Sequence, residues 1–442
     1  DSANASPREL INQYREAQRA VRSEGEDAKT LQRELLRRVA LEAGEARLLQ
    51  ALQSPRQLQE VMVDFWLNHF NVFAGKGLDR VLVASYEREA IRPYALGRFR
   101  DLLGATAHHP AMLFYLDNWL SVSPDFHPRG GAGPAAKASG LNENYARELM
   151  ELHTLGVDGG YGQHDVTELA RMLTGWTFDP RARRGDALFV FDPRRHDNGD
   201  KTWLGRPVTA RGQAEGEWAL DVLARQPATA RHISYQLAQY FVADVPPPAL
   251  VERLSRRFIE TDGDIRAVLA SLFASKEFRA PAFQGGKFKT PYQYVLSSLR
   301  AAGSPVRNVR PLLGALNQLG MPLYGCLTPD GYKNTEEAWL SPDAMSRRID
   351  FASALAGGRL ALEGAPGDSG GAMPATAVPS GGAGRTREMR DASVKGLLPV
   401  DATLLLATLG SSISAKTRAV VEQSAPALRA ALVLGSPDFM HH

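Results

Sequence analysis

Apolar residues recur at i, i+3 and i+4 along most of this chain, a spacing that commits it to helices packed on one another. The pattern is dense over residues 8–73 and 86–103 and returns over 229–241, 249–260, 265–275 and 291–302. Pro246-Pro247-Pro248 separates two of these runs, because proline lacks an N–H and is tolerated only where a helix starts. Asp165-Val166-Thr167-Glu168 predicts an N-cap with its capping-box partner ahead of Leu169, Ala170 and Leu173. The character changes only once. Leu188-Phe189-Val190-Phe191 and Thr202-Trp203-Leu204 flank a polar run from Asp192 to Asp200, which predicts a β-hairpin insert near residues 186–208. The expected fold is mainly α, a multi-helix globular bundle with a small β-hairpin excursion.

Chemistry concentrates in residues 142–156. On a helix, Tyr145, Leu149 and Leu152 form one stripe and Asn144, Arg147, Glu148 and Glu151 the next, with His153 near the end and Gly156 as the stop. Two carboxylates one turn apart can hold a metal or exchange a proton. The same residues also make a solvated face in which Arg147 neutralises Glu143 or Glu151. His69 shares a helical face with Met62, Phe65, Trp66 and Phe70, so its imidazole points inward and needs a hydrogen-bond partner or a metal. Asp117 and Asn118 close an apolar stretch and either cap a turn or face the same interior. His196 and Asp197 sit among Asp192, Asn198 and Asp200, an imidazole with hard oxygen donors whose spacing differs from a helix-loop-helix calcium motif.

The runs Val63-Asp64-Phe65-Trp66-Leu67-Asn68-His69-Phe70-Asn71-Val72, Met112 to Asn118, Asn142 to Gly156 and Thr174-Gly175-Trp176-Thr177 resemble successive signatures of the bacterial domain-of-unknown-function 1800 family. The resemblance continues through Arg195 to Lys201, Gly263-Asp264-Ile265-Arg266, Tyr332-Lys333 and Trp339-Leu340-Ser341-Pro342, nearly the whole chain. It implies a largely helical protein, commonly exported, and often encoded beside a sulfatase-like protein that would be its partner. It implies no reaction. Leu67 stands where many relatives carry a second histidine beside the one matching His69, which weakens a two-histidine metal site. The segment that usually precedes the helical part is not in this sequence. The expected location is the periplasm or another exported compartment.

At 442 residues and 44% hydrophobic, the chain can bury a sizeable core. Its 52 Lys and Arg against 49 Asp and Glu are interspersed, so no basic patch argues for nucleic acid. A single cysteine, Cys326, excludes a disulfide framework, a multi-cysteine zinc site and a cysteine-ligated cluster. No apolar stretch reaches the roughly 18 to 20 residues of a membrane span. The expected organisation is a helical core over residues 1–362, a Gly, Ala, Pro and Ser linker over 363–386, and a C-terminal helical segment over 387–442 packing on the core. A Gly- and Pro-rich loop over 127–140, leading into the charged helix, is a candidate lid. Gly367-Asp368-Ser369-Gly370-Gly371 copies a serine-protease signature without the β-barrel that signature needs.

Two functions follow from these residues. In the first, the chain is an exported metal-dependent enzyme, hydrolytic or oxidative. Its divalent metal would be held by His69, Glu148, Glu151 and His153, with Asp117 or the His196-Asp197 loop closing over it. The catalytic candidates are Glu148, Glu151, Arg147, Asp117 and Asn118. In the second, the polar helix is a buried salt-bridge network in a non-catalytic scaffold for the sulfatase-like partner. The convergence of the carboxylates and imidazoles, and the direction Arg147 takes, discriminate the two.

Overall fold

Helix starts in this chain are written in small polar residues and proline. Ser6 accepts from the Glu9 N–H (3.3 Å) while Glu9 accepts from the Ser6 N–H (2.9 Å), and Pro7 takes the first helical position. Thr290 and Gln293 repeat this reciprocal cap ahead of Pro291, and Asp264 caps through the Ala267 N–H. The computed structural model describes residues 2, 4–127, 140–179, 188–363 and 398–442. The candidate lid lies almost wholly outside the described residues. So do the linker beyond Glu363 and the protease-like pentapeptide.

The chain divides into two compact units. The first comprises Asp1–Ala43, Pro55–Gly286 and Tyr324–Asn334. It carries α1 (Pro7–Glu24), most of α2 (Glu26–Gln53), α3 (Gln57–His69), α4 (Asp79–Tyr86), α5 (Phe99–His108), α6 (Pro110–Tyr115), α7 (Asn144–Glu151) and α8 (Gln163–Met172). It continues with α9 (Gln213–Ala224), α10 (Pro227–Phe241), α11 (Pro248–Glu260), α12 (Ile265–Ala274) and the single turn α13 (Lys276–Arg279). One continuous core runs through this unit, with Trp66, Tyr86, Phe99, Leu113, Tyr145, Leu149, Trp176 and Leu237 buried in it. The second unit comprises Gly44–Ser54, Lys287–Leu323 and Thr335–His442. Its helices are α14 (Pro291–Ala302), α15 (Arg310–Gln318), α16 (Glu336–Trp339), α17 (Pro342–Ala356), α18 (Ala402–Leu409), α19 (Ala415–Gln423), α20 (Pro426–Leu434) and α21 (Pro437–Met440). There α20 packs against α17, α18 and α19 around Phe351, Leu355, Leu405, Val433 and Leu434.

The fold is mainly α with two small antiparallel sheets, and the strands pair differently from the expected hairpin. Phe189–Phe191 (β2) does not pair forward with the next strand but back with Trp176–Phe178 (β1), Trp176 facing Phe191. Lys201–Trp203 (β3) and Arg206–Val208 (β4) form the tight hairpin, with Leu204 and Gly205 both at positive φ in its turn. Helix α8 also starts earlier than expected. Gln163 is its first residue, so Asp165 sits one turn inside and accepts from the Gly162 N–H (2.9 Å), which leaves Glu168 free to serve elsewhere. Leu272–Phe278 and Val433–Phe439 adopt one local device. In each, a serine at the end of a helix, Ser275 or Ser436, accepts from the Phe N–H three residues on and starts a four-residue helix.

Candidate functional site

Helix α7 begins at an Asx turn, Asn142 Oδ1 accepting from the Asn144 N–H (2.9 Å), and buries Tyr145, Ala146, Leu149 and Met150. It ends by widening. The N–H groups of Leu152 and His153 both reach the Glu148 carbonyl, the Leu155 N–H reaches Met150, and Gly156 closes the turn at φ +83°. The carbonyls of Leu152 and His153 take their partners from other helices. His232 on α10 donates from Nε2 to Leu152 O (3.2 Å), and His69 at the end of α3 donates from Nε2 to His153 O (3.2 Å). Gly156 is required twice here, since a Cβ would also come within 3.0 Å of the His232 ring.

The three rings lie close together, His69 being 6.1 Å from His153 and 6.3 Å from His232 between centroids. Burial pushes all three imidazoles down, His153 to about 3 and His69 well below its ordinary value, and neighbouring histidines push His69 and His153 in the same direction. The His69 and His232 rings hold up the helix end, and the His153 ring lies buried beside them with Nε2 unbonded. Among the described residues, no group of three or more His, Cys, Asp or Glu side chains is arranged to hold a metal ion. His69 and His153 therefore do not form one ligand set with Glu148 and Glu151.

The carboxylates occupy the other, half-exposed stripe. Burial and the Glu151 charge raise the Glu148 carboxyl, Arg147 opposes them, and Asp330 adds to the rise. Arg147 does not enter the gap between the two acids. Its guanidinium turns to Glu143 (3.2 Å) and Gln163 (2.9 Å), and Glu143 and Gln163 bond each other and Thr167. Around Glu148 stand phenols. Tyr115, at the end of α6, is raised by burial and by Cys326, Asp79 and Glu148, and it donates to Leu327 O (2.9 Å). Tyr161 is raised by burial and by Glu151 and Glu148.

Residues 324–334 are fastened beside this stripe along their whole length. Tyr324 donates to Glu87 Oε2 (2.7 Å), and Asn71 donates to the carbonyls of Cys326 (3.1 Å) and Thr328 (2.8 Å). Asn68 grips Tyr332 from both sides, accepting its N–H (2.7 Å) and donating to its carbonyl (2.8 Å). Gly331 sits under that grip at φ +70°, where a Cβ would stand 2.3 Å from the Asn68 carbonyl. Gly331→Ala is expected to cost about 1 to 3 kcal/mol. The check is urea unfolding followed by tryptophan fluorescence, and an unchanged midpoint would mean the segment yields.

The other expected site residues are bonded into the fold. Asp117 takes a left-handed conformation (φ 59°) and pairs with Lys76 (2.9 Å), whose ammonium also donates to Tyr115 O (2.6 Å). Asn118 is buried and donates to the carbonyls of Leu173 (3.3 Å) and Trp176 (3.2 Å). His196 and Asp197 do not close over α7 but anchor the polar turn 192–200. His196 Nδ1 donates to Thr174 O (2.9 Å) and Nε2 faces Glu215 (3.3 Å). Arg171 grips Asp197 with two nitrogens (2.8 and 3.1 Å) and reaches Glu168 with a third (2.8 Å). Those Arg171 bonds outweigh the burial of Asp197 and hold its carboxyl below the ordinary range.

Tyr115, Tyr161, Asp330 and Asn71 carried no assigned role in the sequence reading. Asn71 and Tyr115 stand inside quoted signature runs, which was the available signal; Tyr161 and Asp330 had none. Asp79 was missed as well. It is fully buried with neither carboxyl oxygen hydrogen-bonded, and burial raises it well above its ordinary value against the pull of Lys76.

The family model described as Protein of unknown function (DUF1800) matches residues 1–441. The chain belongs to the DUF1800 family. No curated protein and no solved structure matches it. In this DUF1800 chain the signature runs meet in space. Asn68 and Asn71 hold residues 326–332, Asn144 and Asn142 reach back to the carbonyls of Leu116 (3.5 Å) and Asp117 (3.4 Å), and Tyr115 lies within electrostatic reach of Glu148. No helix among the described residues is long and apolar enough to cross a membrane.

Proposed function

We propose that this DUF1800 chain is a hydrolytic enzyme that works by proton transfer at Glu148. The observation that carries this reading is the half-exposed Glu148 carboxyl, raised by burial and by Glu151 while Arg147 is held by Glu143 and Gln163. A carboxyl poised in this way protonates a leaving oxygen or nitrogen as the substrate bond breaks. The water whose oxygen bonds to the substrate then returns a proton to Glu148. Glu151 and Asp330 keep that proton in place by like-charge repulsion, and Tyr161 and Asn144 border the stripe from which a substrate would be presented. The imidazoles of His69 and His232 are positioning groups in this reading, since they bond the carbonyls that end α7.

The test begins without a substrate. A carboxyl-labelled glutamate titration followed by NMR is expected to show one resonance, lost in Glu148→Gln, with a midpoint above 4.5 that moves down in Glu151→Gln. A screen of ester, amide and glycoside substrates is then run with wild type and Glu148→Gln, and Glu148→Gln is expected to abolish turnover with the fold intact. A Glu148 midpoint at or below the ordinary value, or turnover that survives the substitution, overturns the proposal. A second reading, a non-catalytic scaffold for a sulfatase-like partner, draws on the bonding of Asn118, Arg147, His196 and Asp197 into the fold. Failure of the Glu148 titration would favour it.

A further inference from the structure

The second unit buries two cations side by side. Arg348, on α17, is 1% exposed, and Lys289, just before α14, is 8% exposed. The Arg348 guanidinium lies over the rings of Phe288 (4.4 Å) and Tyr294 (4.9 Å) and donates from Nη2 to Lys289 O (2.7 Å). Its Nη1 has no hydrogen-bond partner. The Lys289 ammonium donates to Phe439 O (2.6 Å) and stands 3.9 Å from the Phe439 ring centre. Among the described residues no carboxylate pairs with either side chain; Arg348 acts on Lys289, the Tyr294 phenol on Arg348, and Lys289 with Lys287 on the buried His442 ring.

Leaving two like charges together in a dry interior is expensive, and neutral side chains of the same volume would fill the space more cheaply. The framework nevertheless holds both rigidly. Residues 287–289 pair with 440–442 through Lys289 N to Met440 O (2.8 Å) and His442 N to Lys287 O (2.9 Å), and the Tyr294 hydroxyl bonds the carbonyls of Arg348 (3.2 Å) and Leu434 (3.0 Å). Aromatic faces fix the guanidinium plane and therefore the direction of the free Nη1 hydrogens. We infer that Arg348 and Lys289 form a binding site for a small oxyanion, phosphate or carboxylate, which Nη1 and the ammonium would grip together. Burial holds the arginine down to about 10, and burial with the Arg348 charge holds the lysine down to about 8. An anion between them would restore both.

The experiment is calorimetric titration of the full chain at pH 7 and constant ionic strength with inorganic phosphate, and separately with acetate, chloride being the background anion. One saturable site per chain is expected for at least one of the two, and which one binds identifies the source chemistry. Affinity is expected to fall about tenfold or more in Arg348→Gln and in Lys289→Gln. It should be unchanged in Arg347→Gln, whose side chain lies at the surface against Asp343. Circular dichroism of each variant separates loss of binding from loss of fold, and Lys289→Gln carries the test should Arg348→Gln not fold. No saturable binding of either anion by wild type overturns the inference, as does binding that persists in a folded Arg348→Gln or Lys289→Gln chain.

Discussion

Replacing Glu215 with alanine is expected to destabilise the first unit by about 3 to 5 kcal/mol, the cost of stranding a buried partner charge. Glu215 and Lys201 are both fully enclosed, with Nζ 2.9 Å from Oε2, and the other carboxylate oxygen takes the Arg211 N–H (2.9 Å) and faces His196 (3.3 Å). Lys201 in turn donates to the carbonyls of Asp197 and Gly199, so the ammonium ties α9 to the polar turn and to β3. Removing the carboxylate leaves that ammonium buried with two carbonyls and, at 4.0 Å, the Asp197 carboxylate that Arg171 already holds. Glu215→Ala combined with Lys201→Met is expected to recover most of the loss, because an apolar replacement of a buried pair is often nearly neutral. Tryptophan fluorescence in urea is the appropriate probe, since Trp66, Trp119, Trp176, Trp203 and Trp218 all belong to this unit. A loss under 1 kcal/mol in the single variant, or no recovery in the double, would sink the account.

Acid is expected to weaken the same unit well before its ordinary carboxylates protonate. Burial holds His153 and His109 down to about 3 and His69 well below its unfolded value. A base depressed in this way contributes full stability above the unfolded value of 6.5 and loses it as pH falls toward the folded value. Between pH 7 and 5 His153 and His109 therefore each give up about 2 kcal/mol, as the unfolded chain takes a proton the folded one refuses, and His69 shifts in the same direction. Asp79 works in the opposite direction. Its carboxyl is raised in the fold, so its cost, present at pH 7, is relieved by at most about 2.7 kcal/mol on going to pH 5. The two imidazoles lose about 4 kcal/mol over that range against at most about 2.7 recovered at Asp79, and the lowered His69 and His232 add to the loss, so the balance is a loss of about 1 kcal/mol or more. Urea midpoints at pH 7, 6 and 5 measure it, and His153→Gln is expected to flatten the dependence by about one proton. A pH-independent midpoint over that range would contradict the burial of these rings as neutral groups.

Helices were legible where one apolar stripe and one start signal agreed. Residues 291–302 combine Thr290, Pro291 and Gln293 with buried Tyr294, Val295 and Leu299, and the helix runs over that span. Pro248 opens α11 after the proline run for the same local reason. The strands were harder, because three-residue strands carry no alternation long enough to select a partner. Phe189–Phe191 pairs with Trp176–Phe178, a run quoted only as a signature and assigned no strand from the sequence. At the charged helix, periodicity assigned the right stripes as far as Glu151. Beyond it the widened turn rotates His153 out of phase and into the core, a change governed by His69 and His232 from other helices. Arg147 had acids within reach at both ends of one helical turn. Gln163, sixteen residues away in sequence, reaches the same guanidinium and holds it on the Glu143 side.

The grip of Asn68 on Tyr332 spans 264 positions of chain, and it has a consequence for synthesis. The first unit is discontinuous, resuming at Tyr324–Asn334 only after Lys287–Leu323 has been made for the second. A nascent chain extending to Gly286 holds every helix described in the first unit, yet it lacks the stretch of backbone that satisfies Asn68, Asn71 and Tyr115. The ribosome must add about 48 further residues, a few seconds of elongation at 5 to 20 residues per second, before those groups find their partners. Throughout that interval Asn68, Asn71 and Tyr115 are without the backbone groups they bond in the finished unit, so the side of the Glu148 stripe that carries Asp330 is assembled last.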